Sequence, residues 1–177
     1  MFLKLAHQVW KDHLKPGNSA IDATCGNGYD TDVLARFDLA HLYVFDIQKK
    51  ALNSTKSRVG ENKNISYHLE CHSTFSSVKG SVDLIVYNLG YLPGGNKSLT
   101  TNVQTTIKSI ETGTLLLNPG GLISCMLYPG HPEGAREESA LLDLTANFSS
   151  KKFQISHHRS VNRSRAPSLL LIQKIIY

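Results

Sequence analysis

The sequence predicts an α/β fold: a doubly wound sheet, mostly parallel, with helices on both faces and an antiparallel strand at its C-terminal end. Three observations carry this. Short apolar runs alternate with amphipathic stretches of helical period along most of the chain. One alternation, S-A-I-D-A-T-C-G-N-G-Y-D over residues 19–30, passes from an apolar strand through a glycine turn directly into a helix. The last two apolar runs, 152–158 and 169–176, have no helix between them. Their connection is too short for a crossover, so they must pair antiparallel.

The elements follow in order. Phe2, Leu5, Ala6, Val9 and His13 recur at helical spacing with Lys4, Lys11 and Asp12 between them. His7 and Trp10 on this helix read as packing residues. Lys15-Pro16-Gly17 ends it. After the first strand and the glycine turn, Val33, Leu34 and Phe37 mark a short helix. The second strand, H-L-Y-V-F-D, ends on Asp46. Ile47, Ala51, Leu52, Thr55 and Val59 give the next helix, closed by Gly60. A third strand covers 65–69 and a fourth, continuously apolar after Asp83, covers 82–87. Thr101-Asn102-Val103-Gln104 reads as a capping box for a helix through Ile107, Ile110, Thr114 and Leu117. Asn118-Pro119-Gly120-Gly121 precedes a fifth strand over 122–128. Glu137 and Glu138 then lie early in a helix striped by Leu141, Leu144 and Phe148.

Bulk composition bounds the rest. A chain of 177 residues suffices for one well-buried domain, expected here over 1–177, and is short for two. The formal net charge of +5 suits an anionic partner or a merely basic surface, and composition does not separate them. Cys25, Cys71 and Cys125 are odd in number and lack metal-ligand spacing, which suggests reduced thiols in a cytoplasmic chain. His157 and His158 are adjacent, poor spacing for shared ligation, and no metal is expected. No apolar run is long enough to span a bilayer, and the N-terminus lacks a signal peptide's apolar core, so no membrane partner is expected.

The glycine turn is the first stretch with chemistry. Gly26 and Gly28 let a ligand approach bare backbone. Asp30 and Asp32 fall in the first turn of the following helix, where negative charge suits the macrodipole. Thr31 replaces the third glycine of a dinucleotide fingerprint, and Asp22 ends the strand before the turn. That carboxylate would repel a pyrophosphate, whereas S-adenosylmethionine (SAM) carries an ammonium and a sulfonium. Asp46 stands about 20 residues beyond Gly26, where such folds place the acid that grips ribose hydroxyls; the plain alternative is an N-cap. The cofactor-contacting set expected is Asp22, Thr24, Gly26, Asn27, Gly28, Asp30, Thr31, Asp46, Gln48, His72 and Asn88. His72 belongs to the stretch after the third strand, where an adenine edge would lie.

The fourth strand runs into N-L-G-Y-L-P-G-G-N-K-S. Asn88 sits at the carboxyl end of a central strand, where open parallel sheets bind ligands. Its side chain there would face whatever Gly26 and Gly28 hold; a turn Asn beside a core Tyr is the alternative. Tyr91, Gly94, Gly95 and Lys97 form a substrate-facing loop candidate, and His131 in Y-P-G-H is a candidate general base. Arg159, Arg163 and Arg165 make the last connection basic, fit for a phosphate backbone or for solvent alone.

Two of these stretches resemble known motifs. D-A-T-C-G-N-G is similar to the D-x-G-x-G-x-G loop of class I SAM-dependent methyltransferases, with Thr24 at the first glycine. N-L-G-Y resembles the N-P-P-Y motif of amino-group methyltransferases, keeping Asn88 and Tyr91 and replacing both prolines. In order along the chain, D-A-T-C-G-N-G-Y-D-T, V-F-D-I-Q, Y-N-L-G-Y-L-P-G-G-N-K-S, N-P-G-G-L-I and Y-P-G-H-P-E-G resemble the small bacterial MnmM/YtqB family, earlier described as rRNA methylases. The resemblance implies a Rossmann-like class I methyltransferase sheet. It implies SAM as methyl donor, with S-adenosyl-L-homocysteine (SAH) as product. It implies methylation of the aminomethyl nitrogen of 5-aminomethyl-2-thiouridine at the tRNA wobble position. The partner expected is tRNA at its anticodon region, with a homodimer as an option. Asn88, Tyr91 and His131 are the catalytic candidates.

Overall fold

A computed structural model describes residues 1–90 and 101–175 of the chain. Along it run α1 (Phe2–His13), β1 (Ser19–Asp22), α2 (Tyr29–Leu34), β2 (His41–Asp46), α3 (Lys49–Val59), β3 (Ile65–Leu69), β4 (Val82–Asn88), α4 (Val103–Leu116), β5 (Leu117–Leu127), α5 (Pro132–Ala146), β6 (Phe153–His158) and β7 (Ser168–Lys174). Seven strands form one sheet in the order β3-β2-β1-β4-β5-β7-β6. Strands β3 to β5 pair in parallel, while β7 runs antiparallel to both β5 and β6.

Both faces of the central strands are buried, which is why they read as continuous apolar runs rather than alternating ones. Ala20, Leu84, Val86 and Leu122 point to one face, where Ala6 and Trp10 of α1, Leu34 of α2 and Ala51 and Leu52 of α3 cover them. Ile21, Ile85, Tyr87 and Ile123 point to the other, under Ile110 of α4 and Leu141 of α5. Each strand switches faces residue by residue, so a one-residue slip would exchange the two cores.

Three boundaries differ from the sequence expectation. β5 begins at Leu117 rather than 122: Leu117 pairs with Val82, and the register then jumps so that Leu122 pairs with Leu84. Asn118-Pro119-Gly120-Gly121 is thus an irregularity inside the strand, with Asn118 Nδ2 donating to Asp83 Oδ1 at 2.8 Å. α4 is capped by Asn102, whose side chain accepts from the Gln104 amide, and not by Thr101. α5 starts at Pro132, earlier than its acidic pair suggested. Among the described residues no helix is long and apolar enough to cross a membrane.

Candidate active site

The strand order reverses between β1 and β4, and open α/β sheets hold ligands at such a point, beyond the carboxyl ends of the strands. There the loops after β1, β2, β4 and β5 line a cavity of about 880 Å³.

The glycine turn forms its floor. Gly26 and Gly28 take φ of 52° and 79°, left-handed values open to glycine at little cost. At Gly28 a side chain is excluded twice over, because a Cβ would lie 2.7 Å from Thr55 Cα of α3. Asp46 ties this turn to the next loop, since its carboxylate accepts from the Gly26 amide at 3.0 Å and the Gln48 amide at 2.8 Å. Burial raises the Asp46 pKa, and these backbone donors pull it back down. The Cys25 thiol also meets Oδ2, at 3.9 Å, a weak donor that a ligand hydroxyl would outcompete, so the Asp46 carboxylate can receive a ligand diol from the cavity it lines. Asn27 and Gln48 line the same wall, and the Asn27 carbonyl accepts from Arg58 Nε at 2.8 Å.

Asp22 is placed elsewhere than the sequence suggested. It is 1% exposed and stands behind the turn, not in the cavity. Its carboxyl accepts from Thr31 Oγ1 at 2.5 Å and from the Thr24 amide at 3.2 Å. Burial first, then the charge of Asp30, raises its pKa to about 7. Asp22 and Thr31 therefore shape the turn from beneath. Gly28 likewise heads α2 without lining the cavity, where Thr55 crowds it.

Thr24 explains its own presence at a position where glycine was expected. Its hydroxyl accepts from the Asn88 amide at 2.8 Å and donates to the Asn88 carbonyl at 3.3 Å, clamping the β1 loop to the end of β4. The Asn88 side chain is held as well, with Nδ2 donating to Asp30 Oδ2 at 2.8 Å. Asp30, 6% exposed, meets His7 Nε2 at 2.8 Å through its other oxygen. His7 is thus part of the site network. A polar residue beside Ala6 and Trp10, at the margin of the α1 apolar stripe, was the signal for it. Tyr128, beyond β5, also hydrogen-bonds the Asn88 side chain, and burial keeps its phenol protonated.

His72 lines the far end of the cavity, packed edge-on to Tyr87 at 5.8 Å. Burial lowers its pKa to about 4, so the ring is neutral. Its Nδ1 is buried without a hydrogen-bond partner among the described residues. His131 lines the rim but serves as the N-cap of α5, its Nδ1 accepting from the Gly134 amide at 3.1 Å. That bond engages the Nδ1 lone pair in the cap.

Of the basic connection, Arg165 lines the cavity, and Arg163 faces a second cleft of about 510 Å³ beside Phe2 and Tyr128. Arg159 is exposed and lines neither. Tyr91, Gly94, Gly95 and Lys97 lie outside the described residues. Gly90 and Thr101, which flank them, are joined: the Gly90 amide donates to Thr101 Oγ1 at 2.9 Å, and the Thr101 amide to the Gly90 carbonyl at 3.1 Å. No group of three or more His, Cys, Asp or Glu residues suited to a metal occurs among the described residues.

Comparison with known proteins identifies the family and the fold. The family model described as "Putative rRNA methylase" matches residues 42–174. The chain is 36% identical over 193 aligned residues to "tRNA (mnm(5)s(2)U34)-methyltransferase, chloroplastic" of Arabidopsis thaliana, covering 97% of this chain and 68% of that protein. The crystal structure of a "putative rRNA-methylase" from Clostridium thermocellum superposes with a TM-score of 0.91 at 30% identity, covering 98% of this chain and 97% of that one. A "putative methyltransferase" from Streptococcus mutans, solved in complex with SAH, gives 0.88 at 30% identity over the same shares. The sheet is thus the Rossmann-like class I methyltransferase sheet, and the chain belongs to the rRNA_methylase family.

Proposed function

We propose that this chain is a SAM-dependent methyltransferase acting, as one domain, on the aminomethyl nitrogen of 5-aminomethyl-2-thiouridine at the wobble position of tRNA. The observation that carries the proposal is Asn88. Its amide ends the central strand, lines the cavity beside the glycine turn, and has its nitrogen already engaged by Asp30. The 36% identical relative is named for methylation of this same class of tRNA nucleoside. A relative 30% identical binds SAH.

The residues present fit SAM. Asp46 supplies acceptors for ribose hydroxyls, the open backbone of the Gly26 turn receives the methionine end, and His72 packs beside the adenine edge. Bound there, SAM supplies an electrophilic methyl on a sulfonium. The protein's own work is placement. Asn88 Oδ1 accepts a hydrogen from the substrate amine and aims its lone pair at the cavity's centre. Because an amide carries no charge, it does not hold the amine as an ammonium, which has no lone pair to attack with. Rate then comes chiefly from proximity and alignment. In this reading Arg165, which lines the cavity, and Arg163, in the neighbouring cleft, meet phosphates of the tRNA. Three free cysteines, two of them buried, accord with a reducing compartment such as the cytoplasm.

Single-turnover methyl transfer to tRNA bearing the aminomethyl group tests the assignment. Asn88→Ala is expected to bind SAM within about threefold of wild type while transfer slows by roughly 10²-fold, the scale of a lost alignment. Near-wild-type transfer by Asn88→Ala would remove Asn88 from the acceptor's role.

A further inference from the structure

We infer that His7 and Asp30 are positioning residues for the methyl acceptor: together they lock the Asn88 amide with its oxygen turned to the substrate. The inference rests on the reading of Asn88 given above. An asparagine side chain has two orientations of similar shape and opposite hydrogen-bonding sense. Here one orientation is dictated. The Asp30 carboxylate can only accept, so the Asn88 atom 2.8 Å from Oδ2 must be the amide nitrogen. The same logic places a proton on His7 Nε2, 2.8 Å from Asp30 Oδ1. His7 is itself fixed, with its ring 4.7 Å from that of Trp10, which is 1% exposed. The Thr24 hydroxyl holds the Asn88 backbone. Burial raises the Tyr128 pKa and the Asn88 contact lowers it, the effect of an N–H given to the phenol oxygen, so the amide nitrogen serves both Asp30 and Tyr128 and the amide oxygen is left for the substrate.

The orientation matters to the chemistry. With its oxygen outward, Asn88 accepts a hydrogen from the amine and leaves the nitrogen lone pair free. Flipped, it would donate into that lone pair and tie up the electrons the reaction needs. Asp30 prevents the flip by offering an acceptor to the amide nitrogen alone. His7 prevents Asp30 from turning away. His7 reaches the cavity only through Asp30, so it touches neither ligand. Helix α1, at the far end of the sequence from β4, thereby helps to set the geometry of transfer.

The test is a double-mutant cycle together with a direct readout of the lock. His7→Ala is expected to keep SAM affinity within about threefold, to lower kcat roughly tenfold, and to leave KM for tRNA nearly unchanged. His7→Gln, which restores an N–H donor, is expected to recover part of the loss. In an Asn88→Ala background, His7→Ala should cause no further loss, because its effect runs through Asn88. A purely structural role would instead give additive losses and no recovery by Gln. In nitrogen-15 spectra the Asn88 side-chain NH₂, identified by its absence from Asn88→Ala, should exchange slowly in wild type and faster in His7→Ala. Wild-type kcat in His7→Ala, additive losses, or an Asn88 NH₂ unprotected in wild type would each overturn the inference. A protected Asn88 NH₂ in a protein that transfers no methyl to aminomethyl-tRNA would keep the lock and overturn the substrate assignment instead.

Discussion

Asp22 ends β1 and lies buried beneath the glycine turn. Its negative charge beside a glycine turn was legible, because a strand-ending acid stands out in an apolar run. Its direction was not, because strand period alone does not say whether the last residue points into a cavity or under a loop. The structure buries it beneath the turn, where desolvation favours the neutral acid. Its folded pKa of about 7 lies above the ordinary value of 3.8. The folded state therefore holds a proton that the unfolded chain has already released in this window. The stability it contributes is fully present below 3.8 and is lost as pH rises through about 7. Asp22→Asn keeps an acceptor for Thr31 and removes the titration. Its melting temperature relative to wild type is expected to rise steadily from pH 5 to pH 8. Melting curves that stay parallel across that range would show that Asp22 does not titrate there. His7 is the complementary case: it reads as a packing residue, because its partner lies 23 residues away and only the folded chain shows it.

At the scale of elements, helix α5 carries more of the site than its sequence showed. Its apolar stripe was readable from period, but its first turn, P-E-G-A, contains a glycine that lowers helix propensity and hid the true start. Pro132 suits the N1 position and His131 the cap, so local chemistry does specify this end once the boundary is known. Gly134 is there for space. A Cβ at that position would lie 2.1 Å from the Tyr128 carbonyl oxygen and 2.9 Å from His131 Nε2. Neither the backbone at Tyr128 nor the cap can yield cheaply. Gly134→Ala is expected to destabilise the protein by about 1–3 kcal/mol, the range of an overpacked site. It should also slow transfer, since Tyr128 is a partner of Asn88. Thermal melting and single-turnover assays read the two effects; an unchanged melting temperature would mean that the helix start relaxes freely. One turn later, Glu137 is 3% exposed and accepts from Thr101 Oγ1 at 2.8 Å and Thr106 Oγ1 at 2.6 Å. In the sequence it looked like an ordinary acid early in a helix, because both partners sit 31 or more residues upstream.

For the whole molecule, the parallel sheet and its antiparallel close were legible because the alternation of elements leaves few topologies open. The order of the last two strands follows from burial. β7 carries Leu169, Leu170 and Ile172, each fully buried, and takes the interior place beside β5. β6, F-Q-I-S-H-H, is only partly buried and takes the edge, where polar side chains also discourage pairing with another chain. This choice swings the β6–β7 connection back over the carboxyl ends of the strands, so that Arg165 reaches the cavity and Arg163 the cleft next to it. All three arginines of the connection are exposed. If they meet phosphates flanking a wobble nucleoside whose base enters the cavity, they act as a group on binding and little on chemistry. Replacing Arg159, Arg163 and Arg165 together with Ala is expected to weaken binding of an anticodon stem-loop and to reduce the slope of log affinity against log salt by about 2, the share of three lost phosphate contacts. SAM affinity and the melting temperature should stay close to wild type, because exposed arginines contribute little to either. Fluorescence anisotropy across a salt series measures the slope. A triple variant that keeps the wild-type slope would assign these arginines to solvent and move the RNA path to another face of the cavity mouth.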